Sequence, residues 1–128
     1  MPKLTLQLLS ETFSIHSLPA HSKIPEQVFA AKIYFIGKTN DEVSIVIPEH
    51  IELNSDDIEP DWKVLEVVGP LGFSLTGILA SIATVLADEK ISIFAVSTFD
   101  TDYILVKNSK VPQAVKALNN NDYRVLGY

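Results

Sequence analysis

Between Trp62 and Leu126 the apolar residues of this chain switch from a period of two to a helical period and back, twice over. Trp62, Val64 and Glu66 alternate against Lys63, Leu65 and Val67, the pattern of a strand with one more apolar face. Leu75, Ile78, Leu79, Ile82, Val85 and Leu86 then fall at the i, i+3, i+4, i+7 spacing of one helix face. Ser74 or Thr76 can cap that helix, and Asp88-Glu89-Lys90 closes it. Ile91–Ser97 and Tyr103–Val106 read as two strands of a hairpin. Pro112 opens a second helix, where its missing N–H costs nothing, with Val111, Val115 and Leu118 facing inward and Asn119-Asn120-Asn121 as its stop. Tyr123–Leu126 is a last strand. The order is strand, helix, strand, strand, helix, strand, which predicts an α+β, ferredoxin-like split βαβ unit. Its two helices cover one face of an antiparallel four-stranded sheet. The other face must then meet the first half of the chain or a second copy.

The first half is β-rich. Leu4, Leu6 and Leu8 alternate with polar residues, and so do Phe13 and Ile15, around a turn near Ser10-Glu11-Thr12. Leu18–Pro25 is a loop punctuated by prolines, followed by a weakly signalled helical turn at Pro25–Val28. Strands are predicted at 31–37 and 43–47, joined by the polar connection Lys38-Thr39-Asn40-Asp41-Glu42. Asn54–Pro60 is acidic and turn-rich and reads as a linker. The expected division is therefore a β-rich subdomain at 1–60 and a βαββαβ domain at 61–128, each too small to bury much core alone.

Composition narrows the function classes. At 128 residues and 47% apolar the chain can fold as one small domain or two that share a core. A net charge of −6, with Lys and Arg scattered singly, argues against nucleic acid and anionic membranes as partners. The absence of cysteine removes disulfides, thiolate metal sites and cysteine nucleophiles. Met1-Pro2-Lys3 leads directly into alternating residues with no signal-peptide pattern, and no apolar run reaches membrane-spanning length, so a cytoplasmic location is expected. His16, His21 and His50 lack metal-ligand spacing, and Glu49-His50 with Glu52 reads as a surface loop beside Pro48. Nothing resembles a nucleophile elbow, a phosphate-binding loop or a dinucleotide fingerprint, so a non-catalytic protein without cofactor is expected.

The densest unpaired polar chemistry lies in two places. One is the loop Gly69–Gly77, where Gly72 lets backbone approach a ligand and Thr76 and Gly77 offer N–H donors at a helix start. There the helix dipole favours a carboxylate by roughly 0.3–1 kcal/mol. The other is the turn Ser97-Thr98-Phe99-Asp100-Thr101-Asp102, in which Asp100 or Asp102 can accept from an ammonium and Ser97 and Thr98 can add hydroxyl contacts. Each has a plainer reading, as turn glycines, solvated turn carboxylates and ordinary strand-end hydroxyls.

The segments Gly72-Phe73-Ser74-Leu75-Thr76-Gly77-Ile78-Leu79-Ala80 and Ile91 through Val106 resemble the ACT domains, small regulatory modules that bind amino acids. The wording is similar to that of small prokaryotic tandem-ACT proteins and of the ACT domains of eukaryotic cytosolic arginine sensors. Residues 1–60, including Phe35–Val46, resemble a reduced, incomplete ACT unit. The resemblance implies a small amino acid bound at an ACT–ACT interface, within a chain or across a homodimer. It places the carboxylate against the backbone at Leu71, Gly72, Ser74, Thr76 and Gly77, and the ammonium near Ser97, Thr98, Asp100 and Asp102. Related arginine-sensing domains present an acidic residue where this chain has Ser74-Leu75, which points toward a smaller or more apolar ligand side chain. The alternative is a ligand-free dimerisation or docking platform.

Overall fold

The computed structural model describes residues 4–68 and 77–128, and the chain divides into two compact units, 1–10 with 63–128 and 11–62. Strands β1 (Thr5–Leu8), β5 (Asp57–Val67), β6 (Phe94–Ser97), β7 (Asp102–Lys107) and β8 (Arg124–Leu126) and helices α1 (Ile78–Asp88) and α2 (Val111–Asn120) build the first unit, to which β5 contributes its C-terminal half. The expected strand–helix–strand–strand–helix–strand order is present. The sheet differs from the expected four strands, because β1 inserts between β5 and β8 and gives the order β6-β7-β5-β1-β8. It pairs antiparallel with β5, Leu6 opposite Val67, and parallel with β8, Leu6 opposite Val125. That parallel contact lies beyond local pattern: it joins residues about 120 positions apart.

Helices of 11 and 10 residues are marginal alone, so burial of one face holds them. Ile82, Val85 and Leu86 of α1 and Val111, Ala114, Val115, Ala117 and Leu118 of α2 pack on Leu6, Leu8, Leu65, Val67, Ile104 and Val106 of the sheet. On the opposite face Val64 and Leu105 are also fully buried. Both helices end in the same way. The amides of Lys90 and Ile91 donate to the carbonyls of Ala87 and Leu86, and those of Asp122 and Tyr123 to Asn119 and Leu118. These are Schellman closures, each with a left-handed residue, Lys90 at φ +59° and Asp122 at φ +70°. Ile91 and Tyr123 follow, both buried, and fix where the chain turns back to the sheet.

At its other end α1 has Gly77 as N-cap in the left-handed region, φ +78°, with no side-chain cap. The expected caps Ser74 and Thr76, like Leu75, lie outside the described residues. Pro112 falls in the first turn of α2 as expected. Gly127 is required by close approach: at φ +87° a Cβ there would stand 2.6 Å from the Leu8 carbonyl oxygen.

The second unit is a wholly antiparallel sheet in the order β3 (Phe35–Lys38), β4 (Glu42–Pro48), β2 (Phe13–Pro19) and the N-terminal half of β5. A 3₁₀ turn at Glu26–Ala30 occupies the place of the weak helical signal, and residues 31–34 do not extend the strand that the sequence predicts there. The Thr39 hydroxyl accepts from the amides of Asp41 and Glu42 and so closes the β3–β4 turn. Leu18, Val28, Val43, Ile45 and Ile47 form the core, with Ile24, Tyr34, Ile51 and Leu53 at its margin.

The acidic stretch read as a linker is in part a strand. Asp57, Ile58 and Glu59 pair with Ser17, His16 and Ile15, and the register then shifts before Trp62 meets Phe13. A ladder is made by backbone, so five successive exposed side chains from Asp57 to Asp61 do not prevent it. Pro60, which has no N–H, falls within the shift, and Asp61 takes φ +69°.

Replacing Lys90 by glycine should stabilise the chain by roughly 0.5–1 kcal/mol. Relief of a left-handed cost of about 1–2 kcal/mol outweighs the added freedom of the unfolded chain, about 0.4–1 kcal/mol. Lys90→Val should destabilise. Urea midpoints of the two variants check both signs.

Candidate functional site

The acidic turn is the part of the expected site that the described residues contain. β6 and β7 pair through Phe94–Leu105, Ala95–Ile104, Val96–Tyr103 and Ser97–Asp102, so Asp102 is the first residue of a strand. The turn proper is Thr98-Phe99-Asp100-Thr101. Its closing bond runs from the Thr98 amide to the Thr101 carbonyl at 2.8 Å. The Thr98 hydroxyl donates to the same carbonyl at 3.1 Å and accepts from the Thr101 amide at 3.3 Å. The Ser97 hydroxyl donates to Asp102 Oδ1 at 2.6 Å. Three of the expected ligand groups, Ser97, Thr98 and Asp102, therefore also shape the turn that carries them. Asp100 is exposed, and Phe99 at the tip is 81% exposed.

The turn is tied to the sheet by residues that no motif marks. Thr101 Oγ1 donates to the Val67 carbonyl at 2.5 Å, and the Tyr103 hydroxyl donates to Glu66 Oε2 at 3.2 Å. Val67 ends β5, so the acidic turn is bonded to the end of that strand. Leu71, Gly72, Ser74 and Thr76 lie outside the described residues. Gly77 is the N-cap of α1, and its carbonyl accepts from the Ser81 amide at 2.9 Å. The sequence signal for the tie was Glu66 itself, the lone charge in Val64-Leu65-Glu66-Val67-Val68.

Electrostatics at the turn is anionic. Burial pushes the Tyr103 phenol above the ordinary tyrosine value, and the charge of Glu66, its hydrogen bond and the charge of Asp100 push in the same direction. Glu66 and Asp100 both act on Tyr103 and Asp102 precedes it, so the arrangement favours a cation and disfavours a carboxylate. Among the described residues no group of three or more His, Asp or Glu is placed to hold a metal ion. A separate shallow cleft in the second unit is lined by Glu11, Thr12, Glu49 and His50.

The raised phenol sets a direction with pH. Tyr103 keeps its proton in the fold where the unfolded chain loses it, so its contribution is complete below the ordinary tyrosine value and is lost as pH rises above it. Spectrophotometric titration should show a late-ionising tyrosine that disappears in Tyr103→Phe and ionises earlier in Glu66→Gln, which keeps an acceptor and removes the charge.

The ACT domain family matches residues 57–120. The chain is 30% identical to the human cytosolic arginine sensor for mTORC1 subunit 1 over 129 residues, covering 92% of this chain and 39% of that protein. It is 31% identical to the mouse protein over 121 residues, 87% of this chain and 36% of that one. It thus spans less than two fifths of the length of these relatives. Among solved structures, an Agobacterium tumefaciens protein superposes with a TM-score of 0.89 at 31% identity, covering 98% of this chain and 94% of that one. The regulatory subunit of aspartate kinase from Thermus thermophilus shares the fold, with a TM-score of 0.64 at 14% identity over 90% and 95% of the two chains. A domain matched over residues 57–120 and a fold shared along nearly the whole length lead to one conclusion: the chain belongs to the ACT domain family.

Proposed function

We propose that this chain is a non-catalytic regulatory module that binds an amino acid at an interface between ACT units. The observation that carries the reading is the Thr101–Val67 hydrogen bond, which holds an anionic turn against the end of β5, two residues before Gly69 in the sequence. In this reading the ligand carboxylate meets backbone at Leu71, Gly72, Ser74, Thr76 and Gly77. Asp100 and Asp102 take the ammonium, with Ser97 and Thr98 completing the polar contacts. In this reading the anionic turn would take the cationic end of a zwitterion and the helix start its carboxylate. The sensors that resemble this chain are named for arginine and for the cytosol. We assign the same compartment here, and a ligand whose side chain is smaller or more apolar, because Ser74-Leu75 supplies no acidic partner for a guanidinium. A homodimer completes the interface.

A ligand-free dimerisation or docking platform is the second reading, favoured by Phe99, whose ring is 81% exposed at the tip of the turn. Thermal-shift measurements across the twenty amino acids separate the two. Binding of one of them should raise the melting temperature, the stabilisation reaching about 2.7 kcal/mol at a hundred times the Kd. Asp102→Asn should weaken that ligand about tenfold or more, as expected when a charged hydrogen bond worth roughly 1.5–3 kcal/mol is lost. No shift at millimolar concentration, with a dimer that persists in light scattering, would establish the platform instead.

A further inference from the structure

Ser14 and His16 place polar side chains in the interior of the second unit, at 1% and 2% exposure. They share one face of β2 with Leu18, whose side chain belongs to the cluster with Val28, Val43, Ile45 and Ile47. Across the ladder His16 stands opposite Ile45 of β4 and Ile58 of β5. Its Nδ1 lies 2.9 Å from Ser55 Oγ, in the segment that leads into β5. Nε2 has no partner, and neither has Ser14 Oγ. A neutral imidazole has one N–H and one bare nitrogen. The tautomer that wastes least puts the proton on Nδ1, donating to Ser55, and leaves a bare Nε2 against apolar surroundings. A second proton would place a charged N–H donor there without an acceptor, and a buried polar group without a partner is costly.

The charged neighbours do not offset this. On β4, Glu42 lies at the strand end opposite Pro19. On β5, Asp57 and Glu59 flank Ile58 and alternate to the other face. Glu52 and Asp56 bracket the Ser55 segment, Glu26 belongs to the 3₁₀ turn, and Tyr34 sits at the core margin. Burial sets the balance at His16 and holds its pKa below the ordinary histidine value.

We propose that His16 and Ser55 form an acid-sensitive latch, closed while the imidazole is neutral and released when it takes a proton. Release frees the Ser55 segment from β2, and the bond from the Asp56 amide to the Ser17 carbonyl, 3.1 Å, reports on it. The sign follows from linkage. With the native pKa lowered, closure is fully supported above the ordinary histidine value and is lost as pH falls from there toward the native value.

Hydrogen exchange of the full chain, corrected for intrinsic rates, tests the latch between pH 7.5 and pH 5. The opening constant at Asp56 should rise by up to about tenfold per pH unit through that window. His16→Leu, which cannot titrate, should show a flat profile. The same pH dependence in His16→Leu overturns the proposal. So does an NMR titration in which wild-type His16 takes its proton at or above the ordinary value with Asp56 still protected, a measurement that needs no variant to fold.

Discussion

The backbone ladder of β5 is the constraint on which the two units depend. Its first residues pair with β2 through Asp57, Ile58 and Glu59, and its last pair with β1 through Leu65, Glu66 and Val67. Between them the register shifts and Asp61 turns to a positive φ, a bulge that admits the one residue unable to donate to a ladder, Pro60. Each unit is completed by a different half of this strand. Ile58 stands opposite the buried imidazole of His16, and Val67 accepts the hydroxyl that anchors the acidic turn.

Around that strand the first unit is set by burial and by how its helices stop. The apolar faces of α1 and α2 cover Leu6, Leu65, Val67, Ile104 and Val106, enough buried hydrocarbon to order two helices too short to persist alone. The closures use the backbone carbonyls of Leu86 and Leu118, fully buried leucines, so one residue serves both the packing and the closure of each helix. Using Lys90 and Asp122 where glycine is cheapest costs some stability, and it keeps the turn geometry that sends the chain back to the sheet.

The turn at 98–101 is built by its own polar side chains and their neighbours. Ser97 orients Asp102, Thr98 closes the turn, and Thr101 ties it to β5. A carboxylate held in this way loses little freedom on meeting a cation, the physical content of preorganisation. The plain reading of these residues as turn formers and the functional reading as ligand groups are therefore compatible. The tie from Tyr103 to Glu66 adds a second anchor and concentrates negative charge on the same side.

Much of the fold was legible in the chain. The period switch from Trp62 to Leu126 is carried by residues close in sequence, and local periodicity decides helix or strand because only one face can be buried. The membership of the ACT domain family followed from the wording of those same segments. The candidate turn was legible as well, since Ser, Thr and Asp cluster in it. What anchors it was not: Thr101 reaches across 34 positions to Val67 and Tyr103 across 37 to Glu66. Asn54–Pro60 looked like a linker because its side chains are acidic, yet a backbone ladder is indifferent to exposed side chains, and β2 supplied the partner. From Trp62 to Leu126 the sequence alone determined the elements and their order, through periodicity and turn residues. Only the tertiary structure decided that β1 inserts beside β8, that Val64 and Leu105 are buried, and that His16 lies inside, because each depends on surfaces brought together from distant parts of the chain.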